Sequence, residues 1–116
     1  MTIEDIQVIC SKMQGVTEDI KWEDHLCFNV GGKMFLITSP DNVPVTASFK
    51  VSDGEFEKLS QKNGFMPAPY LARYKWIFID DINRFSPAQW ETYIRQAYQL
   101  VAEKLPAKTR KSLGLL

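Results

Sequence analysis

The run Leu26-Cys27-Phe28-Asn29-Val30-Gly31-Gly32-Lys33-Met34-Phe35-Leu36-Ile37-Thr38 decides the fold. Two apolar segments flank a pair of glycines. A two-residue Gly-Gly loop favours a type I′ or II′ hairpin, because glycine reaches positive φ without a Cβ penalty. The turn then sets the register: Val30 faces Lys33, Phe28 faces Phe35, and Leu26 faces Ile37. Side chains alternate along a strand, so Leu26, Phe28, Val30, Phe35 and Ile37 share one face. Cys27, Met34 and Leu36 fall on the other face, which is half-covered or used for contact.

Before the hairpin, Thr2 is an N-cap, and Ile3, Ile6, Ile9, Cys10 and Met13 follow at helical spacing. Gly15 ends that helix, so residues 3–14 form one amphipathic element that covers a sheet. Residues 18–23 alternate weakly, as an edge strand does. After the hairpin, residues 39–44 turn the chain. Residues 45–51 alternate strictly, with Val45, Ala47, Phe49 and Val51 inward. Ser52 and Glu55 form a capping box ahead of a short helix with Phe56 and Leu59 on its apolar face. Asn63-Gly64 stops it.

The stretch from Gly64 to Trp76 has no simple period and carries two prolines, two tyrosines, an arginine and a lysine. It reads as an ordered connection packed on the domain. Trp76-Ile77-Phe78-Ile79 is apolar on both faces, which suits a central strand. Ser86-Pro87-Ala88-Gln89 opens a long helix with cap, proline and box glutamine. Its stripe of Trp90, Tyr93, Ile94, Ala97, Tyr98, Val101 and Leu105 runs to Pro106, and a basic tail follows. The order α-β-β-β-β-α-β-α implies a two-layer α+β domain, an antiparallel sheet covered by helices on one face.

Length and composition agree with one domain over residues 1–116. The chain is 45% hydrophobic and 24% charged, as ordinary globular chains are. Its longest apolar run is far short of a membrane span. Met1-Thr2-Ile3-Glu4-Asp5 lacks the basic start and apolar core of a signal peptide, so the expected location is the cytoplasm. Cys10 and Cys27 lie in apolar patterns and read as buried, reduced thiols. The formal net charge is zero but unevenly placed. Residues 1–60 hold five lysines and ten carboxylates; residues 61–116 hold nine basic groups and four carboxylates. The total excludes a bulk-basic nucleic-acid binder, while a basic face from the second half stays open.

The motifs give no reaction. One histidine, His25, and two cysteines do not make a zinc set. A Cys-His nucleophile pair would need tertiary contact that no spacing implies. Asp80-Asp81 and Glu18-Asp19 read as solvated turn charge. Gly31-Gly32-Lys33 is a hairpin turn rather than a phosphate loop, since no helix follows it. No cofactor, metal or catalytic set is expected. What remains is a cation–aromatic group: Tyr70, Arg73, Tyr74, Lys75 and Trp76 from one stretch, with Lys104, Lys108, Arg110 and Lys111 from the end. Phosphates take Lys and Arg, and unstacked bases take aromatic faces. In the competing reading, Tyr70 and Trp76 pack in the core and Arg73 pairs with a carboxylate.

Three pieces carry a family resemblance: Phe28-Asn29-Val30-Gly31-Gly32-Lys33-Met34-Phe35, then Pro67-Ala68-Pro69-Tyr70-Leu71-Ala72-Arg73-Tyr74-Lys75-Trp76, then Ala97-Tyr98-Gln99-Leu100-Val101 with Lys104-Leu105-Pro106-Ala107-Lys108-Thr109-Arg110. Along nearly its whole length the chain resembles the MmcQ/YjbR family of small bacterial proteins. The family's closing pattern is similar to Ser-Tyr-x-Leu-Val…Leu-Pro-Lys-Lys-x-Arg. Here Ala97 replaces the serine and Ala107 the first lysine, which removes one positive charge from the tail. The resemblance implies an α+β fold related in shape to frataxin and secretion chaperones, a "double-wing" DNA-binding label, and no enzymatic activity.

Two functions are carried forward. The first is a DNA-binding module in which Arg73, Lys75, Lys108, Arg110 and Lys111 meet phosphates and Tyr70 or Tyr74 stacks. The second is a protein-interaction or small-ligand domain using the exposed sheet face and the proline-rich stretch.

Overall fold

The computed structural model describes residues 1–115. Six strands form one antiparallel sheet in the order β1-β2-β3-β4-β6-β5. They are β1 (Val16–Lys21), β2 (His25–Val30), β3 (Lys33–Ser39), β4 (Thr46–Lys50), β5 (Phe65–Pro67) and β6 (Trp76–Ile79). The helices are α1 (Ile3–Ser11), α2 (Asp53–Ser60), α3 (Pro87–Ala102) and α4 (Ala107–Ser112). The two-layer α+β architecture is as the pattern implies.

Boundaries and one strand differ from the sequence reading. α1 ends at Ser11, before residue 14, and β1 begins at Val16, two residues earlier than the alternation suggests. The stretch 64–76 is not only a connection. Phe65–Pro67 adds an edge strand on β6, and Ala72–Tyr74 makes a short 3-10 turn. A three-residue strand has no period to detect. Pro67 is tolerated there because an edge strand leaves one side of its backbone without a ladder partner. With α4 counted, the order becomes α-β-β-β-β-α-β-β-α-α.

The main correction concerns the central hairpin. The Gly-Gly turn forms, and Val30 pairs with Lys33 and Asn29 with Met34. The register then shifts: Phe28 pairs with Leu36, Cys27 with Ile37, and Leu26 with Thr38. Phe35 is the extra residue of a β-bulge. Past it, every β3 side chain changes face. Phe35 and Leu36 are both fully buried in the main core, while Ile37 joins Cys27 on the opposite face.

Cross-strand rows follow from this register. Phe28, Leu36, Phe49 and Ile77 form a core row beneath the helices; Cys27, Ile37, Ser48 and Phe78 form a row on the second face. α3 lies on the core rows. Its N-terminus is fixed by reciprocal bonds: Gln89 N–H donates to Ser86 Oγ and Ser86 N–H to Gln89 Oε1. Trp90 is fully buried and donates its indole N–H to the Ile82 carbonyl at 2.7 Å. At α2 only half of the expected box forms. Ser52 accepts from Glu55 N–H, but the Glu55 carboxylate accepts from Tyr93 Oη at 2.7 Å.

Gly31 locates the C-terminal segment. Its φ is +58°, and a Cβ there would lie 2.7 Å from Leu105 Cδ1 and 3.2 Å from Thr109 Cγ2. The residues between α3 and α4 therefore sit directly on the hairpin turn, at the sheet end where β4 finishes at Lys50 and β6 begins at Trp76.

Candidate functional site

Two features remain once the core is built: a cationic end of the sheet and a groove on its second face. They share the segment 68–75.

The cationic end centres on Lys50, the last residue of β4. Its Nζ donates to the Tyr74 carbonyl. Burial pushes the Lys50 ammonium below the ordinary lysine value, and the positive charges of Lys104 and Lys75 push it the same way, opposed in part by Asp53. Lys75 and Lys104, one from each basic stretch, thus act on the same half-buried ammonium. Lys75 itself has a left-handed backbone (φ +63°) and places Nζ 4.9 Å from the centre of the Phe56 ring. Arg73 is exposed, stacks over the Tyr74 ring at 4.8 Å and donates to its hydroxyl at 2.6 Å. Among the described residues the ion pairs are Lys21–Asp19, His25–Asp24, Arg84–Asp80 and Arg95–Glu91. None of Lys33, Lys50, Arg73, Lys75 or Lys104 belongs to them.

The tail is less uniform. Lys108 and Lys111 are exposed on α4. Arg110 is half-buried, and its Nε is enclosed without a hydrogen-bond partner among the described residues. Tyr70 stands apart from the other sequence-predicted residues. It is almost fully exposed and lines the groove. Trp76 is buried at the start of β6, in the cluster with Cys27, Ile37 and Ala68.

The groove has a volume of about 580 Å³. Met34, Ile37, Ser48 and Phe78 from β3, β4 and β6 line it on the sheet side, and Pro69, Tyr70 and Leu71 close one flank. Trp22 and His25, at the β1–β2 turn, close the other. The His25 ring lies edge-on to Trp22 at 5.8 Å, and its Nδ1 is 2.7 Å from Asp24 Oδ1. Cys27 lies under this face, fully buried, with burial raising its thiol to about 11. It is therefore a protonated packing residue at neutral pH rather than a nucleophile. Among the described residues no three His, Cys, Asp or Glu side chains are grouped to hold a metal ion, and no helix is long and apolar enough to cross a membrane.

Sequence reasoning missed Lys50, Trp22 and Ser48. Lys50 is one polar position in an alternating strand, and only the fold brings Lys75 and Lys104 to it. Trp22 carried a signal in retrospect, as a large aromatic in the acidic run Glu18 to Asp24.

The family model described as YjbR matches residues 11–100 of this chain. A crystal structure of Deinococcus radiodurans protein DR2400, with the family-model domain DUF419, superimposes with a TM-score of 0.88. The two share 25% identity, over 99% of this chain and 89% of that one. A Pseudomonas syringae protein has the same fold at a TM-score of 0.69 and 18% identity, over 86% of this chain and 98% of that one. No curated protein matches the sequence.

Proposed function

The chain belongs to the YjbR family, and from that premise we propose that it is a non-enzymatic DNA-binding module working through the cationic end of the sheet. The observation that carries this is geometric: Lys50 Nζ donates to the Tyr74 carbonyl, Val51 N–H donates to the Lys75 carbonyl at 2.9 Å, and Leu105, next to Lys104, sits on the Gly31 turn at the same sheet end, with none of the three lysines in an ion pair among the described residues. Like charges held together destabilise the free protein, and a polyanion relieves that repulsion. Arg73, Lys108 and Lys111 extend the surface as exposed cations, and Tyr74 carries Arg73 on its ring. Arg110, with its enclosed Nε, contributes from a half-buried position.

The test is a titration with mixed-sequence duplex DNA at several salt concentrations. Log affinity falls with log salt by about 0.9 for each phosphate neutralised, so three contacts give a slope of about −2.7. Lys75→Ala and Lys104→Ala each lower the slope by about one contact. Absence of binding at low salt, or a slope unchanged in both variants, sinks the proposal.

A second reading, in which the sheet's second face takes a partner or small ligand, rests on a separate observation. That face carries the groove flanked by Trp22 and Tyr70.

A further inference from the structure

The lining of the groove has a definite chemistry. Met34, Ile37 and Phe78 make it apolar, Trp22 and Tyr70 add aromatic surface, and it contains no lysine, arginine, aspartate or glutamate. An anion entering it would lose its water and find no countercharge, and so would an ammonium ion. Ser48 Oγ makes no hydrogen bond with another described residue, and its row neighbours on either side are Ile37 and Phe78. At the rim, His25 Nδ1 lies 2.7 Å from Asp24 Oδ1, so that nitrogen already has a partner outside the groove. The volume of about 580 Å³ lies within the range of small-molecule sites.

The two rim aromatics are held at a cost. Trp22 has φ +51° and Tyr70 φ +66°, the left-handed region where glycine is the ordinary residue. Both are exposed, Tyr70 almost completely, so packing does not account for a ring at either position. Large exposed aromatics kept in strained backbone on both sides of one apolar groove are what a binding site for a flat molecule requires.

We propose that the groove binds a neutral, largely aromatic small molecule carrying a hydroxyl group, held between Trp22 and Tyr70 with its hydroxyl on Ser48. This rests on the second reading above, that the sheet's second face is a ligand face, and narrows it to one chemical class. The DNA surface is a separate matter.

The experiment uses three matched probes, 4-hydroxybiphenyl, biphenyl and biphenyl-4-sulfonate, titrated into the full chain and followed by backbone amide shifts. The expected result is saturable binding of 4-hydroxybiphenyl, with shifts in residues 22–27, 34–39 and 69–71. Biphenyl binds roughly threefold to tenfold more weakly, for want of one hydrogen bond. The sulfonate binds more weakly again, by at least about tenfold. Ser48→Ala abolishes the preference for 4-hydroxybiphenyl over biphenyl. Trp22→Gly and Tyr70→Gly keep or raise Tm, because glycine suits the backbone there, yet lower affinity for both neutral probes; a purely structural role predicts no such split. If the sulfonate binds as tightly as 4-hydroxybiphenyl at these residues, the neutral class is wrong while the ligand face stands. If no probe gives saturable shifts at the groove, both are overturned.

Discussion

Adding one methyl group at Gly31 tests whether the C-terminal segment is seated on the hairpin turn. Gly31 and Gly32 are adjacent and both have positive φ, +58° and +79°. A Cβ on Gly32 meets nothing within 4 Å; one on Gly31 lies 2.7 Å from Leu105 Cδ1, 3.0 Å from Leu105 Cδ2 and 3.2 Å from Thr109 Cγ2. Gly32→Ala therefore carries only the left-handed backbone penalty, about 1–2 kcal/mol. Gly31→Ala carries the same penalty plus the displacement of Leu105. Those methyls are the flexible end of a side chain, so the added cost is near the lower end of overpacking, about 1–2 kcal/mol. The loss of unfolded-chain entropy from replacing glycine is common to both and cancels. In urea, with an m-value of about 1.5 kcal/mol/M, the two midpoints should differ by about 1 M. A cycle isolates the Leu105 contact: in a Leu105→Ala background the difference between Gly31→Ala and Gly32→Ala should shrink to the small residue left by Thr109 Cγ2 at 3.2 Å. The seating also positions Lys104 and α4. Gly31→Ala should therefore weaken DNA binding several-fold under the proposed function, while Gly32→Ala leaves it unchanged. Equal urea midpoints for the two alanine variants would refute the seating.

The bulge at Phe35 makes a second prediction. Leu36→Ala empties a site in the main core and should cost about 3 kcal/mol, whereas Ile37→Ala, on the groove side, should cost clearly less; a regular hairpin reverses that order in chemical denaturation. The thiols give a pH dependence. Burial raises Cys10 to about 12 and Cys27 to about 11, and burial together with the Glu55 bond raises Tyr93 to about 12. Each folded value is above the ordinary one, so the stability these groups contribute is fully present below pH about 9 for the thiols and about 10 for the tyrosine, and is lost as pH climbs toward the folded values. Urea midpoints should fall between pH 9 and 11, and less steeply in Cys10→Ala; a flat profile would contradict the burial.

The elements that sequence made legible have two independent signals that agree. The central hairpin has its Gly-Gly turn and its alternation, and α3 has its cap, its proline and a long apolar stripe. The bulge had no such check. Phe35, Leu36 and Ile37 are all apolar, so either register satisfies the pattern, and Lys33 at the turn is exposed in either register. Thr38 resolves the ambiguity only in three dimensions, where its buried hydroxyl donates to the Leu26 carbonyl at 3.0 Å. The cationic end was half legible for a different reason. Charge segregation along the chain is visible, but Lys50 meets Lys75 and Lys104 only because β4 ends where β6 begins and because Gly31 admits Leu105. The two gaps are connected. Moving Ile37 to the second face brings it level with Ser48 and Phe78, and that row lines the groove. The same step leaves Leu36 opposite Phe49, in the core under α3. One extra residue in a run that cannot report its own register thus completes the core and shapes the candidate ligand face. A local pattern could therefore establish the sheet, but the shape of the candidate ligand face depends on the contacts that fix the bulge.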